Sequence, residues 1–229
     1  RQVALKMARL HESLGDYGQA RRFYQESLRI SEELGDRATV ARILQNLGVL
    51  AQTMGKYDEA LSLYREGLHI SEQLGDLQGK AATLHEMAGI LAVRGDLEGA
   101  MGLYRQVLEI VESLGDRWRK AATLHEMAGI LAVRGDLEGA MGLLREALAI
   151  QESLGDLQGK AATLAMMGQV LLAQGQALEG LRALREALEI LAGMGARADA
   201  EQVAGILDQV RQMLGAERFG ALWAMVSAD

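Results

Sequence analysis

The chain has 229 residues, no proline and no cysteine, and a formal net charge of −7 at pH 7. The lack of cysteine excludes disulfides and thiolate metal sites, and the acidic balance argues against broad electrostatic binding of nucleic acid or anionic lipid. No apolar run reaches the roughly 18 residues that cross a bilayer, and the first residues lack the apolar block of a signal peptide. We therefore expect a cytoplasmic protein whose partners include neither membrane nor nucleic acid.

The organising feature of the sequence is an internal repeat with a period of 40 residues. The segment Lys80 to Leu103 recurs letter for letter as Lys120 to Leu143. Internal periods of this length indicate a repeat architecture in which each unit stacks on the next. The predicted organisation is five repeats, at 1-40, 41-80, 81-120, 121-160 and 161-200, followed by a C-terminal capping helix pair at 201-229.

Each block contains two amphipathic helical patterns. In the third block, Leu84 and Ala88 mark the inward face of the first helix, and Tyr104 and Leu114 mark that of the second. Between the helices stand Gly-Asp pairs such as Gly95-Asp96, in which glycine ends one helix and aspartate caps the next. Short turns force antiparallel neighbours, and one helix pair cannot cover both of its apolar faces. The sequence therefore predicts an all-α solenoid of stacked, antiparallel helix pairs.

The small and large positions of the blocks resemble the tetratricopeptide pattern, with Ala88 and Gly168 in the first helix and Ala100, Tyr104 and Leu108 in the second. The usual repeat of this family has about 34 residues and a proline near its end. Here about six further residues extend the helices, and Leu-Gly-Asp replaces the proline turn. This longer form is similar to repeats of the kinesin light chain and Pins type. The resemblance implies a right-handed superhelix whose concave surface binds peptides.

In this family the first helix of each pair lines the concave groove with its second, fifth, sixth, ninth and twelfth positions. The candidate groove residues of the first two blocks are Lys6, Arg9, Arg42, Gln45, Asn46 and Val49. Those of the third to fifth blocks are Ala82, His85, Glu86, Gly89, His125, Glu126, Gly129, Met166 and Gln169. The resemblance thus implies a groove that is polar and partly basic at one end, and apolar and mildly acidic at the other.

Two parts of the resemblance bear on the ligand. Asn46 stands where kinesin light chain and Pins-type repeats place an asparagine that hydrogen-bonds the ligand backbone. By contrast, Ala82 and Glu86 occupy positions at which the clamp for a chaperone's C-terminal carboxylate has cations, and Glu86 would repel that carboxylate. The resemblance therefore favours recognition of a peptide backbone over recognition of a chaperone tail.

We hypothesise that the ligand is an extended or helical segment with hydrophobic anchors and with positive charge opposite Glu86 and Glu126. A separate anionic pocket formed by Lys6, Arg9 and Arg42 stays open as an alternative. A further alternative is that the small residues of the groove only set helix spacing and curvature, or serve self-association.

His85 and His125 occupy equivalent places in successive repeats, each followed by glutamate. Such positions are separated by about 10 Å between backbones, so convergence on one ion would need further donors, and duplication accounts for the pair. The serines lack a Gly-x-Ser-x-Gly elbow, and the sequence contains no phosphate-binding loop. We therefore expect no enzymatic activity, no metal site and no cofactor.

The repeat pattern loosens after Ala192, which predicts a capping helix from Glu201 to Met213 and a short closing helix that contains Phe219 and Trp223. The string LGAERFGALWA resembles the end of tetratricopeptide regions in large bacterial signalling ATPases and transcriptional regulators. Three functions follow: a protein–protein interaction scaffold that binds a peptide or helical segment in its groove, a sensor or autoinhibitory segment of such a regulator, and a homo-oligomerising scaffold.

Overall fold

A computed structural model describes residues 1–227, which form twelve α-helices and no β-strand. The chain divides into two compact units, with unit 1 spanning Arg1–Gly115 and unit 2 beginning at Asp116. The helices of unit 1 are α1 Gln2–Ser13, α2 Tyr17–Glu33, α3 Arg37–Thr53, α4 Tyr57–Leu74, α5 Leu77–Val93 and α6 Leu97–Leu114. Those of unit 2 are α7 Arg117–Val133, α8 Leu137–Leu154, α9 Leu157–Ala173, α10 Ala177–Met194, α11 Arg197–Leu214 and α12 Ala216–Ser227. The predicted all-α class is confirmed.

The helices meet at turns built on glycine and aspartate. Each of the eleven turns has a glycine with φ between 66° and 84°, a left-handed conformation that a β-carbon disfavours. The predicted aspartate N-caps are confirmed by side-chain hydrogen bonds at Asp16, Asp36, Asp76, Asp96, Asp116, Asp136 and Asp156. Helices α4, α10 and α11 follow Lys56, Gln176 and Ala196 and have no such side-chain bond.

In unit 1 each helix packs against its neighbours in sequence, and the first helices α3 and α5 also contact each other. The buried ring of Tyr64 on α4 fills the space against α3, where its hydroxyl donates a hydrogen bond to Gln52 at 3.0 Å. Gly48 leaves room for this ring, because a β-carbon there would lie 2.4 Å from a ring carbon. The helix pairs of unit 1 are therefore held by large aromatic side chains against small ones.

The predicted inward faces of the third block are mostly confirmed. Leu84, Ala88 and Tyr104 are buried, whereas Leu114 is 39% exposed. The prediction for Leu114 is wrong because this residue is the last of α6, directly before the turn, where the helical period continues but solvent covers the face.

In unit 2 the neighbouring helices of the chain also pack together, and α7 contacts α9. Helices α9 and α10 approach closely at two glycines, since a β-carbon on Gly168 would lie 3.0 Å from the carbonyl oxygen of Gly180, and one on Gly180 would lie 2.9 Å from that of Gly168. Helix α12 packs on α10 and α11, with Val226 buried and Phe219 stacked on Trp223 at 5.7 Å. This helix covers the end of the unit 2 core.

The first helices begin ahead of the 40-residue blocks set by the sequence, as shown by α3, which starts at Arg37, and by α11, which starts at Arg197. None of the helices within residues 1–227 combines the length and the apolar character of a membrane span.

Candidate functional site

In unit 1 the predicted basic residues lie on α1 and α3. Lys6, Arg9 and Arg42 are exposed, and none of them forms an ion pair within residues 1–227. Asn46 and Gln45 are half-buried on α3. Val49 is also half-buried there and packs against the core cluster around Tyr64. The side chains that could meet a ligand on these helices are therefore polar.

The predicted groove residues on α5, Ala82, His85, Glu86 and Gly89, are all half-buried. The floor beneath them is Tyr104 on α6. Its ring packs edge-on against the ring of His85 with centroids 5.2 Å apart, and its hydroxyl lies 3.7 Å from the place of a β-carbon on Gly89.

Among the cavities in the described part of unit 2, two adjoin each other along the first helices α7, α9 and α11. The first cavity, of about 360 Å³, is lined by the polar side chains of His125, Glu126, Gln151, Asp156 and Gln158 and by Trp118, Ala122, Gly159 and Ala162. The second cavity, of about 280 Å³, is lined by apolar residues that include Ala165, Met166, Val203 and Ile206, and by Gln169, Asp199 and Gln202. We call the two cavities together the unit 2 trough.

The two cavities share three residues, His125, Gln158 and Ala162. They are thus adjoining parts of one depression, acidic and aromatic at one end and apolar at the other. Of the predicted groove residues, His125, Glu126, Met166 and Gln169 line the unit 2 trough. Gly129 lies beside it, because a β-carbon there would be 3.5 Å from the terminal methyl of Met166. Their role in binding stays a prediction.

The walls of the first cavity shift the pKa values of two side chains. Burial lowers the pKa of His125, whose Nδ1 lies 3.2 Å from the hydroxyl of Thr163, so the imidazole is held neutral. Partial loss of hydration raises the pKa of Glu126, although the residue as a whole is exposed. Glu126 forms no hydrogen bond or ion pair within the described residues. A cationic group that entered the cavity would therefore stabilise its carboxylate.

The polar and aromatic residues of the first cavity that were not predicted as groove residues from the sequence are Trp118, Gln151, Asp156 and Gln158. Trp118 lies in the first turn of α7, at a place where the neighbouring repeats have Gln78 and Gln158. The segments that begin at Lys80 and Lys120 are identical over 24 residues, but two residues ahead of them the chain has Gln78 in one case and Trp118 in the other. This difference is the sequence signal that singles out Trp118.

Comparison with known proteins places this fold among helical repeats. The family profile described as Tetratricopeptide repeat matches residues 1–73, 79–153 and 119–192. Nearly identical TPR-like repeats of kinesin light chain type from Podosopora anserina have 20% identity and a TM-score of 0.66, with 84% of this chain and 95% of that chain covered. A search of curated proteins gives no match.

Two further solved structures are similar in fold. The Rap conjugation gene regulator of the plasmid pLS20, in complex with the Phr peptide, has 17% identity and a TM-score of 0.78, with 98% of this chain and 62% of that chain covered. A Signal Transduction ATPase with Numerous Domains from Pyrococcus horikoshii, which has a tetratricopeptide repeat sensor, has 15% identity and a TM-score of 0.74. In that comparison 91% of this chain and 35% of that chain are covered.

Proposed function

Because the chain belongs to the tetratricopeptide repeat family, whose members are generally non-enzymatic interaction scaffolds, we propose that it binds a peptide segment of a partner protein in the unit 2 trough. The observation that carries this proposal is the sharing of His125, Gln158 and Ala162 by the two cavities, which lets one ligand occupy both. Concave sites with apolar walls and a few polar groups are the usual ligand sites of proteins.

The dimensions of the trough suit an extended segment. Adjacent cavities that follow successive first helices lie about 10 Å apart, given helix packing distances of 8–10 Å. An extended chain advances about 3.3 Å per residue, so side chains about three residues apart would enter the two cavities. The second cavity would take an apolar side chain against Ala165, Val203 and Ile206, with Met166 adjusting to its shape.

In unit 1 we propose a complementary role for α1 and α3. Gln45 and Asn46 would hydrogen-bond the backbone of a ligand, and the exposed Lys6, Arg9 and Arg42 would meet its acidic groups. Support for a peptide ligand at the level of fold comes from the Rap regulator, which was solved with a peptide.

A second candidate function is supported by the Pyrococcus protein, whose tetratricopeptide repeats are a sensor within a signalling ATPase. This chain would then be the sensor or autoinhibitory segment of a larger regulator. The gene sequence upstream of residue 1 tests this candidate: a phosphate-binding loop of the Gly-x-x-x-x-Gly-Lys-Ser/Thr type supports it, and its absence from the full-length protein refutes it. The homo-oligomeric scaffold stays a prediction, which light scattering over a range of concentrations would test.

Selection of displayed random 12-residue peptides against the protein tests the main proposal. Ala162 is exposed and lines both cavities, so Ala162→Arg should fill the trough without disturbing the core. Ala149→Arg is the matched control, since it adds the same side chain on the exposed face of α8. We expect the selected peptides to bind Ala162→Arg at least about ten-fold more weakly, and Ala149→Arg with unchanged affinity. Failure to select any peptide, or equal binding to all three proteins, would refute the proposal.

A further inference from the structure

Three side chains that line the first cavity have oxygen acceptors without a partner among residues 1–227. Glu126 has none, as described above. Asp156 uses Oδ1 to accept the hydrogen bond from the Gly159 amide at 2.9 Å, and its Oδ2 accepts no hydrogen bond within the described residues. Gln151 is only 4% exposed, and its buried Oε1 accepts no hydrogen bond. The side chains of all three residues line the first cavity, and no described residue donates a hydrogen bond to these oxygens.

Gln151 is the most informative of these groups. The equivalent residues of the flanking second helices are Val111 and Leu191, which are 0% and 3% exposed, so a fully apolar side chain fits this place in both neighbouring repeats. A buried acceptor without a donor destabilises the fold. The Nε2 end of the same amide lies 2.9 Å from the place of a β-carbon on Gly159, so the absence of a side chain at that residue makes room for it. A ligand that donates a hydrogen bond to Oε1 would remove the cost of burying it.

Nearby protein cations do not serve these acceptors. Arg119 pairs with Asp116 at 2.8 Å, and Lys160 pairs with Glu152 and Glu186 at 3.0 and 2.9 Å. None of the residues that line the cavity is lysine or arginine, and His125 is held neutral by burial. The cavity therefore carries net negative charge, which disfavours the binding of an anionic ligand.

Trp118 completes the arrangement. Its side chain is 61% exposed although it is the largest apolar group of the cavity wall. An exposed indole face attracts cations through the ring quadrupole, and it attracts the planar guanidinium in particular because that group also stacks.

We propose that the first cavity is a subsite for a guanidinium group, the side chain of an arginine in the bound peptide, stacked on Trp118 and donating to Glu126, Asp156 and Gln151. The identity of the ligand as a peptide rests on the function proposed above, whereas the guanidinium subsite rests on this cavity. A guanidinium offers five N–H donors in one plane and so can serve acceptors on several sides. The ammonium of lysine has three donors and no flat face.

Small probes test the subsite without any peptide. The protein has two tryptophans, Trp118 and Trp223, so its NMR spectrum contains two indole N–H signals, which Trp118→Gln assigns. Trp223, on α12, is the internal control. The probes are N-acetyl-arginine methylamide, the lysine analogue, and the citrulline analogue, which has nearly the shape of arginine but no charge.

We expect the arginine probe to shift the Trp118 signal in a saturable manner with a dissociation constant on the order of 1 mM, without shifting that of Trp223. The lysine probe should bind more weakly and the citrulline probe should not bind. Gln151→Val, which copies Val111, and Glu126→Gln should each weaken the arginine probe about ten-fold. Glu179→Gln makes the same charge change at an exposed position of α10 and should have no effect on binding of the arginine probe.

An equal response to citrulline or to lysine would overturn the proposal, as would a lack of response at about 10 mM or unchanged binding by both cavity variants. If the probes fail while selected peptides still depend on Ala162, the subsite is wrong and the proposed function stands. If the arginine probe binds as described but no peptide is selected, the subsite stands and the proposed function is wrong.

Discussion

Gly168 gives a sharp test of how closely α9 and α10 pack. In Gly168→Ala the new β-carbon would lie 2.7 Å from Cγ of Leu184 and 3.0 Å from the carbonyl oxygen of Gly180. Carbon atoms pack favourably at about 3.5–4.0 Å, so the two helices must separate by roughly 1 Å. Overpacking of this kind costs about 1–3 kcal/mol, and because backbone atoms are involved we take the upper part of that range. Alanine regains about 1 kcal/mol of helix propensity, which leaves a net loss of about 1–2 kcal/mol.

Gly129 on α7 provides the matched control. A β-carbon there would meet only the flexible end of Met166, at an ordinary contact distance of 3.5 Å. Gly129→Ala should therefore stabilise the protein by up to about 1 kcal/mol, a change of the opposite sign from that of Gly168→Ala.

Urea unfolding measures both variants. The two tryptophans, Trp118 and Trp223, lie in unit 2 with both glycines, so tryptophan fluorescence follows that unit. With an m-value of about 2 kcal/mol/M, the midpoint of Gly168→Ala should fall by roughly 0.5–1 M and that of Gly129→Ala should rise. A midpoint for Gly168→Ala equal to or above that of the parent protein, at an unchanged m-value, would refute the account of the close helix contact.

Four further substitutions probe unit 2. Gln176→Asp should raise the free energy of unfolding by about 1 kcal/mol by giving α10 the N-cap that it lacks, and Asp136→Ala should lower it by about the same amount; equal midpoints for both would contradict the capping account. Ala140→Leu should cost about 1–3 kcal/mol, since Ala140 is fully buried between α7 and α8, and an unchanged melting temperature would show that the inward face is misassigned. Glu126→Gln should stabilise the protein at pH 7, because a raised pKa means that folding disfavours the carboxylate. The gain should disappear near pH 3, where the carboxyl is protonated in both the folded and the unfolded states, and a gain that persists there would exclude ionisation as its cause.

The turns and the core could be predicted from the sequence because single residues determine them. Gly95 adopts the left-handed conformation and Asp96 caps α6 through local backbone geometry that any neighbouring structure would permit. Helical periodicity likewise placed Leu84 in the core, but it also placed Leu114 there, because periodicity does not show where the covering helix ends.

The first cavity could not be predicted in the same way. Its wall joins the first turn of α7, the last part of α8 and the turn before α9, which contribute Trp118, Gln151 and Asp156. The predicted groove residues all came from one stripe on the first helices, and the aspartates of the Gly-Asp pairs were predicted only as helix caps. Gln151 falls on the buried face of a second helix, where a polar residue has no evident function until the neighbouring elements are seen together.

The exact duplication of Lys80 to Leu103 also bears on how such a chain can change its length. Loss of the 40 residues from Lys80 to Arg119 would join Gly79 to Lys120 and recreate the sequence that already follows Gly79, so no new junction would have to fold. Whole repeats could therefore be gained or lost without creating a new sequence at the junction. Loss of one repeat would alter the protein only at positions where the copies differ in sequence. Trp118 is such a position, and it lies within the segment that would be lost. A shortened chain would keep its turns and helix pairs but would lose the aromatic wall of its acidic cavity, so scaffold length and ligand preference can change in a single step.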